Sequence, residues 1–125
     1  MTSINSLLCI TAGGALGALA RFGVYREVLA LTGASFPVAT LFVNALGSFV
    51  AGVLVVCCAQ RWPDNLLLQA FGLVGFLGAF TTFSTFSLDT LALLQTAGVW
   101  KALLNIGLNV GLSLGCCAVG MQVVR

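Results

Sequence analysis

Apolar residues fill four long runs of this chain, at about 5–25, 37–59, 66–94 and 100–123, and short polar or glycine- and proline-marked breaks divide them. A helix needs about 20 mostly apolar residues to cross a bilayer. Each run reaches that length, so the pattern predicts four transmembrane helices. The breaks read Thr32-Gly33-Ala34-Ser35-Phe36-Pro37, Gln60-Arg61-Trp62-Pro63-Asp64-Asn65 and Thr96-Ala97-Gly98. Pro37 suits the first turn of a helix, where its missing N–H is not needed, and Trp62 and Trp100 stand where interfacial aromatics gather. The first run has neither a basic lead-in nor a small-residue cleavage signal, so it reads as a first span rather than a secretory leader. The expectation is a single all-α membrane domain over 1–125, with no room between spans for a catalytic or receptor domain.

Polar and glycine positions inside the runs are periodic. Thr40, Asn44 and Ser48 follow one another at four-residue steps and therefore share a helix face. An asparagine at membrane depth is costly unless paired; it marks a functional site or a hydrogen bond between helices. In the fourth run Asn105, Asn109 and Ser113 recur every four residues, and so do Gly107, Gly111 and Gly115. The two series are offset by two positions, about 200° around a helix. This predicts a glycine seam for close packing and, opposite it, a polar stripe that must face protein or water. The first run carries the small-xxx-small pairs Gly13/Gly17 and Gly14/Ala18, which let helix backbones approach closely. Arg21 follows, either snorkelling to the interface or standing as a cation at a vestibule that draws anions.

The third run is longer than one crossing requires. Gly72, Gly75 and Gly78 precede Thr81-Thr82-Phe83-Ser84-Thr85-Phe86-Ser87, and the expectation is a helix that breaks near 75–81 and restarts through 82–94. Unwound backbone at membrane depth is tolerated only where protein buries it or where it lines a cavity. Such a break frees carbonyls on one side and N–H groups on the other; the former suit a hard cation, the latter an anion. Phe83 and Phe86 share a face of the restarted half, with Asp89 one turn further.

Composition narrows the class. The chain is 60% hydrophobic and 6% charged, against about 25% charged in soluble domains. It is a membrane protein. A net charge of +2, scattered rather than clustered, gives no footprint for nucleic acid. With no histidine, and Glu27, Asp64 and Asp89 as the acids, acid–base, nucleophilic and side-chain metal chemistry lack candidates, so an enzyme is not expected. Five cysteines without a CxxC spacing read as small packing residues. With four spans, Arg61 and Arg125 fall on one side; Arg26 and Lys101, with Arg21 if it reaches the interface, fall on the other. Orientation follows Lys/Arg bias. Near balance predicts insertion both ways, and polar stripes that need covering predict an antiparallel pair of copies.

Gly13-Gly14 through Arg21, Thr40-Leu41-Phe42-Val43-Asn44 with Gly47, and above all Gly75-Phe76 and Gly78 followed by TTFSTFS at 81–87 resemble the CrcB/Fluc family of small bacterial fluoride channels. The resemblance covers all four runs in order. It implies an antiparallel, dual-topology homodimer in the bacterial inner membrane with two anion pores, passively exporting fluoride from the cytoplasm and so relieving its toxicity. It further implies a structural Na+ between the subunits, held by backbone carbonyls that fall on Gly78 and Thr81. The family's pore phenylalanines map to Phe83 and Phe86, with Ser84 between them. Its pore asparagine maps to Asn44, and its fourth-helix polar track falls on Asn105, Asn109 and Ser113. The chain departs in having Asn105 and Asn109 where aromatic or hydroxyl residues are usual, Phe80 where a smaller residue is commoner, and Asp89 where Glu is usual.

The residue chemistry agrees. A small, strongly hydrated anion leaves water only where donors replace its shell. Asn amides and Ser/Thr hydroxyls donate without charge, and phenylalanine edges carry the positive part of the ring quadrupole. Two other readings compete. A small dual-topology multidrug or cation transporter needs a membrane-embedded carboxylate, and the first run, 5–25, contains no acid. A non-transporting assembly subunit would use the glycine seams but leave the polar stripes without a purpose.

Overall fold

The structure, a computed structural model, describes residues 3–125, and among these there is no β-strand. Four helical spans are long and apolar enough to cross a membrane: Ile4–Thr32, Val38–Arg61, Leu66–Thr96 and Val99–Val123. No more than 28% of any span's most apolar window is buried within the chain. Most of the apolar surface therefore faces outward, as a bilayer or a second copy requires.

Helix α1 (Ile4–Thr32) begins at Ser3, whose Oγ accepts the Ser6 N–H at 3.1 Å, and ends at Gly33, where φ is 74°. Its 29 residues make a rod of about 43 Å, longer than the ~30 Å hydrocarbon core. The helix thus runs two turns past the expected end near 25, and those turns carry the exposed Arg26 and Glu27. Glu27 lies inside the helix rather than after it. Helix α2 (Val38–Arg61) starts just after Pro37, which takes the cap position rather than the first turn.

The third span is two helices in series. Helix α3 (66–80) opens on an Asn65 cap and passes through a π-helical stretch, Ala70–Leu77. Helix α4 (Phe83–Thr96) opens on Thr82, whose Oγ1 accepts the Thr85 N–H at 3.1 Å. Between them Thr81 (φ −81°, ψ 158°) and Thr82 (φ −152°, ψ 115°) are extended. Within the interval 75–81 expected to unwind, Gly75 and Gly78 stay helical, and the departure from helical dihedrals falls on Thr81, at its end, and on Thr82. The reason lies in packing: Gly75 sits against the Ile10 carbonyl and the Gly13 backbone, a contact that a helical path preserves. Helix α5 (Val99–Val123) follows Gly98, where φ is 97°.

The core is two helix pairs, α1 on α3 and α2 on α5. Gly13 and Gly17 let α1 lie directly on the π-helical backbone of α3; a Cβ at either would collide with the carbonyl oxygen of Phe71 or Phe76. Gly52 and Gly120 do the same between α2 and α5, against the carbonyls of Cys117 and Phe49. The Gly107–Gly111–Gly115 seam, expected to be the packing face, touches nothing in this chain. The two α5 faces are nearly opposite, and the costlier one to leave unpartnered, the asparagine stripe, is turned inward. Phe80, the family-atypical residue, is buried and stacks on Phe76 with centroids 5.8 Å apart.

Candidate ion pathway

The extended residues Thr81 and Thr82 are held by one side chain of α2. Asn44 Oδ1 accepts the Thr82 N–H at 2.8 Å, and Asn44 Nδ2 donates to the Thr82 carbonyl at 3.1 Å. The amide thus completes both backbone groups of a residue that has left the helix. Its Nδ2 also donates to Asn109 Oδ1 on α5 at 3.1 Å. Asn109 Nδ2 donates to the Asn105 carbonyl and to Asn105 Oδ1, each at 3.0 Å. Asn105 Nδ2 donates to Thr90 Oγ1 at 3.0 Å, and Thr90 Oγ1 donates to the Phe86 carbonyl at 2.7 Å. Every amide orientation follows from its neighbours: an N–H at one end and a carbonyl at the other leave no free choice.

This chain of bonds joins α2, α4 and α5 around the Phe83–Phe86 pair. The two rings lie 5.3 Å apart, tilted by 57°, near the edge-to-face geometry that exposes a ring edge. Phe86 is buried, whereas Phe83 is 77% exposed on the outer surface of this copy. Beside them opens a groove of about 540 Å³ whose lining brings together Asn44, Phe83, Phe86, Asn109 and Ser113 with Gly78 and Thr81. No charged side chain lines it.

Three of the expected residues lie elsewhere. Asn105 is fully buried, 0% exposed, behind Asn109. Its role in this arrangement is to hold Asn109 and Thr90. Ser84 is exposed on α4, its hydroxyl 3.3 Å from Thr82 Oγ1. Arg21 belongs to a second, larger cavity of about 720 Å³, which it lines with Tyr25, Arg26, Thr40 and Asp89. There Thr40 Oγ1 donates to Asp89 Oδ2 at 2.6 Å, and Tyr25 Oη lies 2.6 Å from the same threonine oxygen. Since the single Thr40 proton goes to the carboxylate, the tyrosine donates to Thr40. Thr40 was expected to share a face with Asn44 and Ser48, and Asp89 to follow Phe83 and Phe86; both instead line this cavity, away from the groove of those four residues, and Tyr25, which the polar periodicity does not mark, joins them. The one available signal for Tyr25 was the four-residue step from Arg21.

The break also strips two carbonyls of their helical partners. In an uninterrupted helix the Thr82 N–H would bond the Gly78 carbonyl, and the Thr85 N–H would bond that of Thr81. Here those donors go to Asn44 Oδ1 and Thr82 Oγ1 instead.

Fold and groove together define a multi-pass, all-helical membrane protein with an uncharged polar groove beside an interruption of its third span. Residues 8–121 match the family described as CrcB-like protein, Camphor Resistance (CrcB), and the chain belongs to that family. It is 48% identical over 107 residues to the "Fluoride-specific ion channel FluC" of Hydrogenovibrio crunogenus, covering 86% of this chain and 81% of that protein. The FluC of Aeromonas salmonicida is 43% identical over 121 residues, 97% of each chain. That of Methylococcus capsulatus is 49% identical over 120 residues, 96% of this chain, which spans 53% of that longer protein.

Proposed function

We propose that this protein is a fluoride-selective ion channel, not an enzyme, which lets fluoride leave the cytoplasm passively across the bacterial inner membrane. The observation that carries the reading is the charge-free groove, with the Phe83–Phe86 ring pair standing next to the start of α4. An anion there meets ring edges, hydroxyls and the positive end of the α4 dipole, none of which binds so tightly as to stop its exit. Asn44 contributes by fixing Thr82, and Asn109 and Asn105 by holding α5 against α4. The Arg21 cavity at the end of α1 is the vestibule, where the cation raises the local anion concentration.

The functional unit is an antiparallel homodimer in the lipid bilayer. Phe83, Gly78 and the glycine seam of α5 lie exposed on one copy, and the near-equal Lys/Arg distribution favours insertion both ways. The interruption at Thr81–Thr82 serves as the helix break that gives this dimer its cation site. The carbonyls of Gly78 and Thr81, deprived of helical partners, are hard neutral donors of the kind sodium accepts, so the residues present fit a structural Na+ between two copies. When bound it supplies a fixed positive charge near the anion path.

Purified protein reconstituted in liposomes tests the reading. Fluoride efflux measured with an ion-selective electrode is expected to exceed chloride efflux by orders of magnitude; absent or unselective efflux removes the channel assignment. Phe83→Ile, which keeps bulk but removes the ring edge, is expected to slow fluoride at least tenfold. Unchanged transport would take Phe83 out of the pathway. A C-terminal reporter is expected on both faces of the membrane, and one-sided labelling would end the dual-topology reading.

A further inference from the structure

Hydroxyls in the spans of this protein are almost all occupied. Thr11, Thr32, Ser87, Thr90 and Thr96 each donate to the carbonyl four residues back, and most others bond neighbouring side chains. Among the described helical residues two make no hydrogen bond: Ser48 on α2, and Ser113 on α5, whose Oγ is buried without a partner. Both line the same groove. A buried orphan hydroxyl is unfavourable and is commonly explained by a water or an ion that completes it.

Their placement is matched. Asn44 on α2 bonds Asn109 on α5, and Gly52 and Val53 meet Cys117 and Gly120 further along, so the two helices ascend together. Ser48 and Ser113 each lie one turn beyond the bonded asparagines. The amide protons of Asn44 and Asn109 are committed to Thr82, Asn109 and Asn105, which leaves these hydroxyls as the free donors of the groove. Neither takes the back-bond available to a helical serine, and the two do not bond each other.

We propose that Ser48, paired with Ser113, forms a two-hydroxyl station for a dehydrated monovalent anion, one helical turn beyond the Asn44–Asn109 contact. The inference rests on the fluoride-channel reading and adds Ser48 as a residue that touches the ion. Two O–H donors lining one groove from parallel helices suit a small anion that accepts strong, short hydrogen bonds. They offer little to a large, weakly hydrated one, so the station favours fluoride over chloride.

The test is fluoride efflux from liposomes for the wild type, Ser48→Ala, Ser113→Ala, the double variant and Ser48→Thr. Each alanine substitution is expected to slow fluoride about tenfold or more, as loss of a hydrogen bond to a charged group does. The double variant is expected to be slower than either single one, because each hydroxyl contributes its own bond to the one ion, and Ser48→Thr is expected to stay within about threefold of wild type. If the wild type conducts fluoride and Ser48→Ala matches it, the station is overturned and the channel survives. A double variant no slower than Ser113→Ala, or a threonine as impaired as the alanine, also overturns it, showing that Ser48 adds no bond of its own or acts through packing. If the wild type moves no fluoride, channel and station fall together.

Discussion

Asn44→Leu is expected to abolish fluoride efflux and to lower the melting temperature of the detergent-purified protein sharply. One amide satisfies three groups: the Thr82 N–H, the Thr82 carbonyl and Asn109 Oδ1. An apolar side chain of similar size leaves the Thr82 N–H and Asn109 Oδ1 without partners where water has little access, and the Thr82 carbonyl, the cap of α4, with its helical bond alone. Each orphaned group costs about 1–3 kcal/mol, so the sum for the two, about 2–6 kcal/mol, is a large part of the 5–15 kcal/mol that stabilises a typical domain. The cheapest relief is for Thr82 to return to the helix and bond Gly78, which turns Phe83 and Phe86 away from the groove. Asn44→Asp separates the two ends of the tie. The Thr82 N–H keeps its acceptor, but a carboxylate oxygen then faces a carbonyl and Asn109 Oδ1, and efflux is expected to fall as well. Wild-type efflux and melting in both variants would show that the tie holds nothing.

Gly17→Val is expected to prevent recovery of monodisperse folded protein. A Cβ at this position would occupy the space of the Phe76 carbonyl oxygen, and the obstacle is main chain on a helix that cannot yield locally. Separating α1 from α3 removes the contact that carries the π-helical stretch leading to Thr81. Gly23 supplies the control on the same helix, because nothing lies within 4 Å of its position for a Cβ. Gly23→Ala is expected to stabilise by up to about 1 kcal/mol through helix propensity alone. Size-exclusion profiles and melting curves of the two variants read the difference. Equal behaviour would mean that the α1–α3 contact is looser than the backbone geometry requires.

That Phe83 and Phe86 stand together was legible from spacing, since a helical period puts them on one face and the two rings do meet. Asn44, Asn109 and Ser113 were equally legible as polar positions at membrane depth. Their division of labour was not. Asn105 and Asn109 repeat with Ser113 along one stripe, yet the first is wholly buried as a brace, the second passes bonds between helices, and the third keeps a free hydroxyl. Tyr25 was missed because its partner Thr40 is contributed by another helix, and no local period encodes that contact.

The number of spans, their short connections, the exclusion of soluble and enzymatic classes and the family all followed from the chain by itself. Apolar run length, near absence of charge and the 81–87 signature are local properties, and transfer into a bilayer responds to them directly. Which glycines carry the packing was settled only in three dimensions. Gly13, Gly17, Gly52 and Gly120 meet foreign backbone, while the more regular 107–111–115 series meets none, because α5 has one rotation that buries its asparagines and that rotation turns the seam outward. The site of the interruption was decided the same way. The glycine- and threonine-rich run pointed to 75–81, and the extended residues are Thr81 and Thr82 at its end, because a helix gives up its hydrogen bonds where another partner takes them and the Asn44 amide reaches Thr82.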